Sequence, residues 1–110
     1  MIELVKEQES GIATLLKIDL GGLQASPKDI DYELEFPDIT GSKGLVISGF
    51  PQYAALAVAC EYKNKCRWIG IVDPKVNPES LSFVVVFSLD REYRRGDVVP
   101  LEKSGLSSPA

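Results

Sequence analysis

Three polar stretches each close an apolar run: Ser48-Gly49 after "GLVI", Asp73-Pro74-Lys75 after "WIGIV", and Ser88 after "FVVVF". Hydroxyls, a carboxylate and an ammonium at strand ends can together receive an anionic ligand. The serines can hydrogen-bond an anion's oxygens, and Lys75 can offset its charge. Asp73 can accept hydrogen bonds or hold a hard cation. Each residue also has a plainer reading, since Asp before Pro opens turns and Ser caps helices. The chain has no histidine and only two cysteines, Cys60 and Cys66. No Ser-His-Asp or Cys-His catalytic set can be assembled, and a structural zinc with four soft ligands is not provided for. No glycine pattern matches a phosphate-binding loop or a dinucleotide fingerprint.

The elements that must position these residues follow from patterning. Residues 2–6 and 12–20 read as two strands around a polar turn, an antiparallel hairpin. Ser26 before Pro27 starts a short helix that Pro37 ends. Residues 44–49 are a compact apolar run bounded by glycines, hence a buried strand. The alanine-rich stretch that follows favours helix, with Lys63 and Lys65 near its C-terminus to complement the dipole. Residues 67–73 form the next strand and 81–89 another, and "VVPL" suits a short edge strand stopped by Pro100. The resulting order is β-β-α-β-α-β-β. Strand, helix and strand over 44–73 form a right-handed parallel crossover. The expected fold is α+β, a ferredoxin-like sandwich with helices on one face of a mixed sheet. In that crossover Ser48 and Asp73 emerge at the same edge, outside the carboxyl ends of parallel strands where ligands bind. The direction of the strand ending on Ser88 is not fixed by pattern. Residues 1–101 read as a single domain, and 102–110, "EKSGLSSPA", as a flexible tail or the start of a linker.

The 110 residues carry a net charge of −4, which opposes tight nonspecific binding to DNA or long RNA. The charge is uneven. Residues 1–60 hold nine acids and four bases, whereas 61–110 hold seven acids and eight bases. A basic surface for a small anion is therefore available in the second half. No apolar run is long enough to span a bilayer, and the polar start is unlike an export signal. A cytoplasmic protein with reduced thiols is expected.

In order, "GLVISG", an alanine-rich helix, "IVDPK", "VVVFS" and "DREYRRGDVV", preceded by "SPKDIDYELEFP", resemble the small Csx-three family of type III CRISPR systems, over about residues 26–100. The resemblance implies homodimers that bind cyclic tetra-adenylate, two dimers sandwiching the ligand. Active members are ring nucleases that cleave this messenger with a divalent metal, manganese in particular. Asp73 matches the family's aspartate, and would be its catalytic and metal-binding carboxylate. Lys75 matches its basic position, and Ser48, with Gly49 beside it, and Ser88 its ligand-binding serines. The family's helix ends in A-H-x-x-A-H; here it reads "ACEYKN", so Cys60 and Asn64 replace both histidines, and Leu89 replaces a third. Asn64 would occupy the catalytic partner's place, where it can hydrogen-bond but cannot titrate.

The resemblance implies a protein that binds cyclic tetra-adenylate or a short oligoadenylate in type III CRISPR signalling. Cleavage, if retained, would be slow. A ribose 2′-hydroxyl can attack its own neighbouring phosphate when oriented and charge-compensated. The competing expectation is a non-catalytic dimerisation or sensor module of a larger CRISPR-associated protein. A third is an unrelated RNA-binding α+β domain, against which stands the lack of the aromatic sheet motif such domains use.

Overall fold

A computed structural model of the chain describes residues 3–19, 37, 43–49 and 52–107. Six strands form one sheet in sequence order: β1 (Glu3–Glu9), β2 (Ala13–Asp19), β3 (Gly44–Ser48), β4 (Trp68–Asp73), β5 (Ser82–Ser88) and β6 (Val98–Pro100). The helix α1 (Gln52–Tyr62) connects β3 to β4. β1 and β2 are an antiparallel hairpin, β2, β3 and β4 run parallel, and β5 and β6 return antiparallel. The hairpin turns at Ser10, whose hydroxyl accepts from the amides of Ile12 (3.1 Å) and Ala13 (3.0 Å).

The α+β class and the mixed sheet are as expected. The ferredoxin-like arrangement is not what the described strands form. A ferredoxin-like sheet is antiparallel with interleaved strands, whereas here each strand lies beside its neighbour in sequence and the middle three are parallel. The expected helix over 26–36 lies outside the described residues.

The central strands are apolar along their whole length because both faces are covered. Pleating alternates their side chains between the two. On one face Leu16, Ile18, Leu45, Ile47, Ile69 and Ile71 pack under Ala54, Ala55, Val58, Ala59 and Tyr62 of α1. The alanines let the helix approach closely. On the other face Leu15, Val46, Val72 and Val85 surround a stack of rings. Trp68 lies parallel to Phe83 at 5.2 Å and to Tyr93 at 4.2 Å between centroids. Two glycines make room for the stack. A Cβ on Gly44 would lie 1.9 Å from the Trp68 ring, and one on Gly70 2.2 Å from that of Phe83.

The second face is closed by residues expected to be a tail. Leu101–Ser104 forms a 3-10 turn that ends on Gly105 in the left-handed conformation (φ 74°). Leu101, Ser104 and Leu106 are buried. The Ser10 hydroxyl donates to the Ser104 carbonyl (2.6 Å), and Gln8 exchanges two 2.8 Å hydrogen bonds with the Ser107 backbone. The expectation of a flexible segment from residue 102 therefore fails over 102–107. Two leucines at 101 and 106, the turn between them and the hydrogen bonds to β1 and its turn outweigh a polar, glycine-containing composition. Residues 108–110 lie outside the described residues.

Candidate functional site

The parallel register of β3 and β4 pairs Leu45 with Ile69 and Ile47 with Ile71. Ser48 and Asp73 therefore both stand at the carboxyl edge of the sheet, as the crossover predicts. They do not face the same way. Ser48 lines a cleft of about 230 Å³ with Gly49, Val72, Pro74 and Leu81. Asp73 borders a second cleft of about 210 Å³, on the helix side, with Leu56, Ile71, Val84 and Val86. The carboxyl end of β4 thus separates a hydroxyl-bearing cleft from a carboxylate-bearing one.

Gly49 turns the chain out of β3 at φ 133°, a conformation L side chains rarely adopt, and a Cβ there would meet Ile18 at 2.9 Å. Asp73 does open a turn: its Oδ1 accepts the Lys75 amide at 3.0 Å. That bond uses one carboxylate oxygen and fixes the backbone that carries Lys75, which is exposed. The turn reading and the binding reading of Asp73 are compatible, because an Asx turn leaves the second oxygen available. Among the described residues the Ser48 hydroxyl has no hydrogen-bond partner.

Residues that sequence reasoning missed hold this edge together. Ser82, opposite Asp73 in the β4–β5 register, is fully buried. Its hydroxyl and that of Ser80 lie 3.3 and 3.4 Å from Asn77 Nδ2, while Asn77 Oδ1 accepts the Glu79 amide at 3.0 Å. The signal available was "NPES", an Asn positioned to fold the backbone onto its own side chain. Nothing in the pattern marked Leu81 as a cleft wall.

Asn64 and Ser88 lie elsewhere. Trp68 pairs with Ser88, so Ser88 stands at the amino end of β4, five residues from Asp73 or roughly 16 Å at about 3.3 Å per residue. Its hydroxyl donates to the Asp90 carbonyl (3.0 Å) and accepts the Asp90 amide (2.9 Å). Helix α1 runs back from the carboxyl end of β3 to the amino end of β4, and Asn64 follows its last turn, exposed. The expected set therefore divides in two. Ser48, Gly49, Asp73 and Lys75 share one end of the sheet; Asn64 and Ser88 share the other.

The second end is a network of charges. Arg67 Nε donates to Asp90 Oδ2 at 2.9 Å, and Lys43 Nζ to Glu9 Oε1 at 3.0 Å. The Glu92 amide, then Arg67, hold the Asp90 carboxyl below its usual range against partial desolvation. Hydrogen bonding and charge from Lys43, with the charge of Lys6, do the same for Glu9. Burial pushes the Cys66 thiol up to about 11, offset in part by the charge of Lys65, so it is a poor nucleophile at neutral pH. Cys60 is exposed.

A divalent metal does not fit the residues described. Asp73 is a single carboxylate, and among the described residues no group of three His, Cys, Asp or Glu side chains could hold an ion. No helix among them is long and apolar enough to cross a membrane. A model of the family described as CRISPR-associated protein (Cas_csx3) matches residues 23–100, a span that contains both ends of the divided set. Comparison with curated proteins gives no match.

Proposed function

The chain belongs to the CRISPR-associated Cas_csx3 family, and from that premise we propose that it binds a cyclic oligoadenylate, cyclic tetra-adenylate first, at the sheet edge carrying Ser48, Gly49, Asp73 and Lys75. The observation that carries the reading is the parallel β3–β4 register, which brings Ser48 and Asp73, the latter followed by Lys75, to one edge of the sheet. Lys75 offsets phosphate charge. Asp73 accepts a hydrogen bond from a ribose hydroxyl. The proposed compartment is the cytoplasm.

Within one chain, Asn64 and Ser88 stand at the opposite end of the sheet from Asp73. In the proposed assembly, homodimers pair around the ring, and the Asn64 and Ser88 end of one copy meets the Asp73 end of another. Cleavage is slow in this reading. A ribose 2′-hydroxyl attacks its adjacent phosphate, and the chain supplies orientation from Asp73 and charge compensation from Lys75 but no group that titrates near neutrality. No step is assigned to manganese, because the donors among the described residues do not suit it. The complete absence of histidine equally favours a sensor that holds the messenger without cutting it.

Titration with cyclic tetra-adenylate, followed by chromatography of the recovered nucleotide, tests both parts. Binding without rapid turnover is expected. Absence of binding at micromolar protein would overturn the reading, and rapid cleavage that survives Asp73→Ala would overturn the role of Asp73.

A further inference from the structure

Among the described residues, the cleft is lined by Ser48, Gly49, Val72, Pro74 and Leu81, none of them charged. The Ser48 hydroxyl could meet a phosphate oxygen, but a phosphate seated against Val72 and Leu81 would lose hydration with no cation among the described lining residues to offset it. We propose instead that this cleft takes one adenine ring of the ligand, in a subsite that rests on the cyclic oligoadenylate reading.

Three observations carry the assignment. The first is size. At about 230 Å³ the cleft is smaller than the ~300–1,000 Å³ that receives a whole drug-sized ligand, and suits a single ring system. The second is its walls. Val72, Pro74 and Leu81 present saturated carbon surfaces on which the flat face of a purine can lie. The third is the Ser48 hydroxyl, half-buried in the cleft and without a hydrogen-bond partner among the described residues. A hydroxyl can donate and accept, which matches the alternating donors and acceptors of a base edge. Lys75, one residue beyond Pro74, then stands outside the cleft, where the sugar and phosphate would emerge. Base in the cleft and phosphate at the rim divide the ligand between the apolar and charged parts of one edge.

Methyl NMR of the intact chain, with adenosine and ribose 5-phosphate as separate probes at millimolar concentration, tests the assignment. Adenosine is expected to shift the methyls of Val72 and Leu81, and ribose 5-phosphate to leave them in place. Ser48→Ala should weaken the adenosine response by roughly 5-fold, the loss of one hydrogen bond. Leu81→Glu should abolish it, with circular dichroism confirming the fold. Adenosine shifts confined to Leu56, Val84 and Val86 would place the base in the other cleft and overturn the proposal. Equal shifts from the two probes would overturn it too. Adenosine shifting Val72 and Leu81 while cyclic tetra-adenylate fails to bind would uphold the cleft and sink the messenger reading. Cyclic tetra-adenylate binding without those shifts would do the reverse.

Discussion

Asp73 and Ser88 occupy opposite ends of the same antiparallel strand pair: Asp73 faces Ser82 across it, and Ser88 faces Trp68. A ligand too short to span the roughly 16 Å between them, at about 3.3 Å per residue, can touch both only by bridging two copies of the chain. Asp73→Ala and the double variant Asn64→Ala/Ser88→Ala should each weaken cyclic tetra-adenylate binding. A mixture of the two should recover part of it, because mixed assemblies rebuild some intact junctions. Titration calorimetry of the three samples checks this. No recovery on mixing would place the whole site on one chain.

Lys75 is assigned to a phosphate, and a phosphate contact has a measurable salt signature. Lys75→Ala should weaken binding and lower the slope of log affinity against log salt by about 1. An unchanged slope would show that its ammonium does not neutralise the ligand.

The ring stack depends on two absent side chains. Gly70→Ala sets a methyl 2.2 Å from the Phe83 ring, and overpacking of this kind costs about 1–3 kcal/mol. For a domain of this size each kcal/mol lowers the melting temperature by roughly 4–8 °C. Thermal unfolding followed by tryptophan fluorescence reads both the loss and the disturbed Trp68 environment. A melting temperature equal to that of the parent would contradict the packing described.

Leu106 tests whether the segment after β6 is part of the fold. It is 3% exposed, and Leu106→Ala should cost about 2–5 kcal/mol. Urea unfolding checks it, and a loss near zero would return residues 102–107 to the status of a tail. That expectation failed for a specific reason. Polar residues and a glycine look flexible in sequence, whereas the partners that fix them, Gln8 and Ser10, lie some hundred positions away and leave no local trace.

The Asp90 carboxyl, held low first by the Glu92 amide and then by Arg67, makes stability depend on acid. Its folded state binds a proton less readily than the unfolded chain. The contribution is therefore present above the ordinary carboxylate range and is lost as pH falls through the lowered folded value, below about pH 4. Asp90→Asn should flatten that part of the acid-unfolding curve. An unchanged curve would remove Asp90 as a contributor.

The candidate edge was legible because a parallel crossover dictates where its strands end, so Ser48 and Asp73 could be placed together from the pattern alone. Their opposite facing was not legible, since it depends on a register that only the paired strands fix. The position of Ser88 was likewise hidden, because the direction of β5 is a tertiary choice. That of Asn64 was implicit: a helix that crosses back along a sheet must carry its last turn to the far end. The ferredoxin-like arrangement was a poor guide because hairpins and a crossover fit several sheets equally well.

The central claim is that the Ser48–Asp73 edge receives a cyclic oligoadenylate. Titrating cyclic tetra-adenylate into the protein and into Asp73→Ala at micromolar concentration tests it most directly. The account predicts saturable binding by the parent chain and clear weakening by the variant. No binding by the parent chain, or the same affinity in both, would contradict it.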